Sequence, residues 1–220
     1  MNILTLDSLK ENVASFVREI SGREIKSLFG TTDGKAVGTY IEHAFHDYLK
    51  EKGFEYERGS SALGIDFPAL EVDMKTTRVT QPQSSCPFEK ASQKVYGLNY
   101  HLVVFVYEKR DDSKTQSAHL DFRHAIFVEK EHTADYQTTK GIIGILERRG
   151  NKDDIVAFLE ERNLPLDEIG RQELAEQILK NPPWQGYLTI SNALQWRLQY
   201  SRVVHLVNEG GADGVENLLS

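Results

Sequence analysis

The stretch YHLVVFVYEK, Tyr100 to Lys109, constrains the fold more than any other part of the chain. It is nearly continuous in apolar and β-branched residues, the pattern of a central strand with both faces covered. Such a strand needs sheet neighbours along its edges and helices over its faces. HAIFVEKEH supplies a second strand. Leu6 to Ile20 reads as an amphipathic helix, with Leu9, Val13, Phe16 and Val17 at helical spacing. After the glycine-punctuated loop LFGTTDGKAVG, Val37 to Lys52 reads as another helix. Tyr40, Ile41, Ala44, Phe45 and Leu49 form its apolar stripe and Gly53 its stop. A short helix is expected near Glu89 to Gly97. From Asp153 onward the pattern turns helical, through DDIVAFLEERN, IGRQELAEQILKN and TISNALQWRLQYSRVVHL. The expected class is α/β, a mixed central sheet flanked by helices over residues 1–140 with a helical region over 141–220. A chain of 220 residues suits one domain, or one domain with a sizeable appendage.

One strand carries charges that its neighbours do not explain. In GIDFPALEVDMKTT, Gly64 to Thr77, four ionisable groups (Asp66, Glu71, Asp73, Lys75) stand among apolar residues. If Leu70 to Thr76 is a strand, side chains alternate with a period of two. Glu71, Asp73 and Lys75 then share one face, and Val72 and Met74 the other. Buried and unmatched, these charges are costly. A bound divalent cation offsets that cost; a solvated edge position avoids it.

The pattern, an acid after a glycine-bearing turn (Asp66) and then Asp73-Met74-Lys75, resembles the P-D…(D/E)-x-K signature of the restriction-endonuclease-like nuclease superfamily. Ile65 stands where the family's variable proline stands. The wording DFPALEVDMKT looks especially like the mismatch-repair nicking endonuclease and its restriction-enzyme relatives. Those relatives carry a glutamate on the preceding helix, and Glu42 in GKAVGTYIEHAF matches it. The resemblance covers roughly residues 34 to 108. It implies a restriction-endonuclease-like fold and a Mg2+-dependent nuclease, with Asp66, Asp73 and Glu42 as metal ligands and Lys75 beside the attacking water.

The residue types suit that chemistry. Mg2+ is oxygen-seeking and keeps several waters, so one or two carboxylates anchor it. Asp66 and Asp73 are the candidate anchors, with the backbone carbonyl of Met74 completing the shell. The cation lowers the pKa of a bound water and shields the phosphate. Lys75, two residues from Asp73, carries a compact positive charge suited to the water and the scissile phosphate. Glu42 would bind a further water or a second metal, and Glu71 ranks below it.

Recognition of DNA needs other residues. Base edges are read by Arg, Lys, Asn and Gln. The loop TTRVTQPQSSCPF offers Arg78, Gln81, Gln83, Ser84 and Ser85 next to the catalytic strand, and Gln93 and Lys94 follow on the next helix as phosphate contacts. Solvated surface is the competing reading for each. TISNALQWRLQYSR, capped by Thr189 or Ser191, reads as a recognition helix in a helix-turn-helix-like unit, carrying Asn192, Gln195, Arg197, Gln199 and Arg202. Packing through Ile190, Leu194, Trp196 and Leu198 is the alternative. His43 and His46 lie at i, i+3, and without a third ligand they read as a surface pair rather than a zinc site.

Composition excludes several classes. The single cysteine, Cys86, rules out an internal disulfide and fits a reducing cytoplasm. No basic start with a following apolar run is read as a signal, no membrane span is expected, and no Walker loop occurs. A net charge of -7 argues against non-specific coating of nucleic acid, but not against a basic cleft. The reading that results is a sequence-specific, Mg2+-dependent double-stranded DNA endonuclease of the type II restriction class, a homodimer if its site is palindromic. It implies a cognate methyltransferase in the same host. A strand-nicking enzyme and a non-catalytic DNA-binding module are the alternatives.

Overall fold

The computed structural model describes residues 2–59, 64–85, 89–191 and 197–219. Strand β1 (Asn2–Ile3) leads into helix α1 (Leu6–Ile20), whose start is fixed by a capping box between Thr5 and Ser8. Helix α2 (Gly34–Glu51) begins where the Asp33 carboxylate accepts the Lys35 amide at 2.9 Å. It therefore starts three residues before the expected Val37. Strand β2 (Phe54–Glu55) pairs in parallel with β1.

The central sheet has four strands in the order β3 (Val72–Arg78), β5 (His101–Asp112), β6 (Ser117–Val128), β9 (Val215–Asn217). β3 runs parallel to β5, and the other pairs are antiparallel, so the sheet is mixed. β5 is inside the sheet and buried on both faces, as its composition requires. Val103, Phe105 and Tyr107 face α1 and α2, where Phe45 meets Phe16, Phe67 and Phe105 with ring centroids 5.1 to 6.2 Å apart. Leu102, Val104 and Val106 face the second core cluster with Leu188, Ile190, Leu198, Tyr200 and Val203. Helices α4 (Tyr136–Glu147), α5 (Lys152–Glu161) and α6 (Glu168–Lys180) pack a third cluster with Val95 of the short helix α3 (Gln93–Tyr96). No described helix is long and apolar enough to cross a membrane.

The described residues of Thr189–Arg202 do not form the recognition helix expected there. Thr189–Ile190 is strand β7 and Arg197–Gln199 is strand β8. With β4 (Gln83–Ser85) they make an antiparallel sheet in the order β4-β8-β7. Among the described residues of this region Ser201–Asn208, α7, is helical. The physical reason is visible in Arg197 to Tyr200, which alternate exposed, buried, exposed, buried, the period of a strand. The spacing of Ile190 and Leu198 that suggested a helix is equally even-numbered. β9 then returns the chain to the central sheet. β7 is held by Asp135, whose carboxylate caps α4 through the Thr138 amide and accepts the Ile190 amide, each at 2.9 Å.

Candidate active site

The seven-residue interval between Asp66 and Asp73 is closed by a tight reversal. Phe67 and Val72 exchange backbone hydrogen bonds of 2.9 and 3.2 Å around a short 3-10 turn, Pro68–Leu70. Glu71 completes it in the left-handed region, φ 53°. The reversal returns Asp66 alongside β3, where its Oδ2 accepts the Met74 amide at 2.7 Å. β3 is the edge strand, so the backbone groups of alternate residues face away from β5. Val72 and Met74 face that open side, and the Met74 carbonyl lies there with its amide, beside Asp66.

Asp73 and Lys75 share the opposite side-chain orientation from Met74, as the alternation requires. Asp73 is buried and forms an ion pair with Lys75 through Oδ2, an oxygen with no aligned hydrogen-bond donor among the described residues. Burial, and after it the charge of Asp73, pushes the Asp66 carboxyl up to about 6. Asp73 is raised too, by burial first, against the opposing pull of the Lys75 ammonium. The two carboxyls interact directly, and Glu42 adds to the negative field at Asp73. Desolvated carboxylates that converge with one lysine between them are under-neutralised, and an oxygen-seeking cation is the complement they lack. The donor set of Asp66, Asp73 and the Met74 carbonyl therefore fits Mg2+.

Glu71 does not share this site. Its left-handed conformation precedes the strand, and its carboxylate pairs with Lys130 at 2.6 Å. Glu42 does approach: it lies on α2, within 4.8 Å of Asp66 through their carboxylate oxygens, and also accepts Arg58 at 3.2 Å. The third member of that group is His46, one helical turn on from Glu42. His46 is buried rather than a surface residue, while His43 is exposed. Burial, then the charge of Arg58, pushes the His46 imidazole down to about 4.

A cleft of about 620 Å³ opens from this edge. Glu42, Met74 and Lys75 line it, together with Arg78, Gln81, Gln83, Ser84 and Ser85 of the polar loop and Arg197 from β8. The loop is stapled to β3 by Thr77, whose hydroxyl receives the Gln83 amide at 2.9 Å. β8 is joined to it by strand pairing and by the 2.5 Å contact of Ser84 Oγ with the Tyr200 hydroxyl. Lys35, not singled out in the sequence, lines the same cleft from the first turn of α2. Among the lining residues Lys35, Lys75, Arg78 and Arg197 face a single carboxylate, Glu42, so the cleft is locally cationic on a chain of net charge -7.

The remaining candidates fall elsewhere. Gln93 and Lys94 are buried and do not line the cleft; the Gln93 side-chain oxygen accepts the Glu89 and Lys90 amides at 3.3 Å. Arg202 stacks over the Tyr136 ring at 3.5 Å. Gln199 is exposed on β8, opposite Gln83 in register. Asn192, Gln195 and Cys86 lie outside the described residues.

The α/β fold brings paired carboxylates and a lysine to the edge of a parallel strand pair, beside a cationic cleft, an arrangement suited to metal-assisted phosphodiester hydrolysis. The comparisons give the particular family. The family model described as "Type II restriction enzyme NspV" matches residues 3–217. The type II restriction enzyme NspV of Nostoc sp. (strain ATCC 29411 / PCC 7524) is 54% identical over 215 residues, covering 98% of this chain and 96% of that protein. The chain belongs to the type II restriction enzyme NspV family. No solved structure gives a significant match.

Proposed function

We propose that this protein is a PD-(D/E)XK-type, Mg2+-dependent endonuclease that hydrolyses double-stranded DNA at a specific sequence. The observation that carries the reading is the convergence of Asp66, Asp73 and Lys75 at the β3 edge where the cationic cleft opens. Asp66, Asp73 and the Met74 carbonyl would hold Mg2+, with Glu42 beside them. When bound, the cation acidifies a water and neutralises charge developing on the phosphate. Lys75, partly exposed at the cleft, orients the attacking water and meets the non-bridging phosphate oxygens. Buried Asp73 holds the Lys75 ammonium in place through their ion pair. Arg78, Gln81, Gln83, Ser84, Ser85 and Arg197 form one polar wall for the DNA backbone and base edges.

A palindromic site would be met by a homodimer, each protomer cutting one strand. A host carrying this enzyme needs a methyltransferase that protects the same sequence. The test is incubation of the full chain with unmethylated plasmid and phage DNA, in Mg2+ and in EDTA. Discrete fragments in Mg2+ alone support the proposal. A smear rejects site specificity, relaxed circles alone indicate strand nicking, and intact DNA rejects cleavage of duplex DNA.

Two residue predictions follow from the roles assigned. Lys75→Ala lowers single-turnover cleavage by about two orders of magnitude, the scale of a lost positioned proton-handling group, with Mg2+ still bound by calorimetry. Unchanged cleavage removes Lys75 from the chemistry. Arg197→Ala weakens binding of the cognate duplex by about tenfold, within the 1–3 kcal/mol of a direct arginine contact, without altering Mg2+ affinity. Unchanged affinity and unchanged choice of site would take β8 out of the DNA-contacting wall.

A further inference from the structure

His46 has a nitrogen that nothing among the described residues satisfies. Its ring is buried, 4% exposed, between the Phe67 ring at 5.0 Å and the Tyr56 ring at 5.7 Å between centroids. Nδ1 lies 2.8 Å from the Tyr56 hydroxyl, and that hydroxyl is 3.4 Å from the His46 carbonyl, to which it donates. The 2.8 Å contact engages Nδ1 in either tautomer; with the Tyr56 proton on the carbonyl, Nδ1 donates and Nε2 presents its lone pair. Nε2 is enclosed, and among the described residues it has no hydrogen-bond partner. A buried acceptor left this way forfeits its hydration without return.

Carboxylate oxygens lie close to the His46 ring. One ligand atom each from His46, Glu42 and Asp66 lie within 4.8 Å of one another. Glu42 and His46 stand one turn apart on α2, the i, i+4 spacing that puts both side chains on one face, and Asp66 is held opposite by the Met74 amide. Arg58 occupies only one Glu42 oxygen, Oε1. Metal-ligating histidines characteristically engage their other ring nitrogen with an outer partner that fixes the tautomer, and Tyr56 occupies that place.

We propose that Glu42, His46 and Asp66 form a second cation site, distinct in its nitrogen donor from the all-oxygen set of Asp66, Asp73 and the Met74 carbonyl. An imidazole with two carboxylates selects a borderline transition-metal ion of the Zn2+, Co2+ or Mn2+ type over Mg2+, which is satisfied by oxygen. Asp66 belongs to both sets, so the two sites are coupled. The proposal shares Asp66 with the nuclease reading but does not require cleavage, and its test does not measure cleavage.

The full wild-type chain, stripped with EDTA, is titrated with Zn2+ while the histidine ring nitrogens are followed by NMR. The Nε2 resonance of His46 is expected to move to the metal-bound position at stoichiometric Zn2+, and to stay in place with Mg2+ at the same concentration. The same shift is expected in Asp73→Asn, which removes an anchor of the oxygen site only. His46→Gln is expected to weaken Co2+ binding about tenfold or more, read by the loss of the visible band. Thermal melts of the stripped proteins check that this variant folds. A His46 Nε2 signal that stays unmoved by saturating Zn2+ in the wild type overturns the proposal, whatever the variant does.

Discussion

Asp73→Ala is expected to lower DNA cleavage in Mg2+ by at least about three orders of magnitude while leaving DNA binding in EDTA intact or tighter. Loss of a metal anchor removes several kcal/mol of charge stabilisation from the transition state, and each 1.36 kcal/mol is about a tenfold change in rate. Binding should persist because the substitution removes a negative charge from beside the phosphate path and leaves Lys35, Arg78 and Arg197 in the cleft. It also frees Lys75 from the ion pair with Asp73, adding a cation to that path. Rates come from single-turnover cleavage of plasmid and affinities from gel shifts. Cleavage retained by Asp73→Ala rejects the metal-anchor role outright. Loss of both cleavage and binding points instead to a damaged fold.

Asp66→Asn should inactivate the enzyme and yet stabilise the metal-free protein above about pH 6. Burial and the neighbouring Asp73 charge raise the folded-state pKa to about 6 from an ordinary 3.8. A carboxyl raised on folding releases its proton more readily when unfolded. The wild type therefore loses stability as pH climbs from about 4 to about 6 and carries the full deficit beyond. That deficit is at most on the order of 3 kcal/mol. Asparagine removes the charge, and its side-chain oxygen can still accept the Met74 amide. In EDTA at about pH 8 the variant should melt several degrees higher than wild type. At about pH 3, below both pKa values, where Asp66 is largely protonated in both states, the two should melt together. A variant that is less stable at about pH 8 would show that Asp66 contributes more through structure than it costs through charge. Mg2+ should erase the difference by binding the wild-type carboxylate, and cation affinity should fall as pH drops through about 6.

Together these two residues describe a trade between function and stability in one short segment. Asp66 and Asp73 are desolvated in a position where the folded protein alone does not repay them, as expected of a site built to receive a cation and a phosphate. Glu71, in the same segment, escapes this cost by turning left-handed and pairing with Lys130 in solvent.

Much of this was legible in the residues before any coordinates. The unbroken apolar run from Leu102 to Tyr107 reads as an interior strand, because few other structures bury every residue of such a stretch, and all six are buried. Leu9, Val13, Phe16 and Val17 recur at the period of a helix over a span long enough to average out noise, and α1 has the bounds so expected. Asp66, Asp73 and Lys75 stand out because acids and a lysine among core residues demand a neutralising partner, whereas Glu42 is marked only by the family resemblance. Other features depend on contacts between residues far apart in the chain. β4, β7 and β8 are two or three residues each, too short for periodicity to register, and each exists as a strand because the others pair with it. That pairing, more than a hundred residues apart in sequence, brings Arg197 to the cleft and replaces the expected recognition helix. Gln93 and Lys94 look solvent-facing by composition, and their burial follows from how α3 packs beneath α4. His46 is the sharpest instance: beside His43 it reads as one of a surface pair, and only the approach of Tyr56 and Asp66 to α2 encloses it and brings its ring within reach of two carboxylates. Hydrophobic pattern and unmatched charge are local properties of a sequence, whereas strand partnership and the enclosure of a single nitrogen arise when distant segments close over one another.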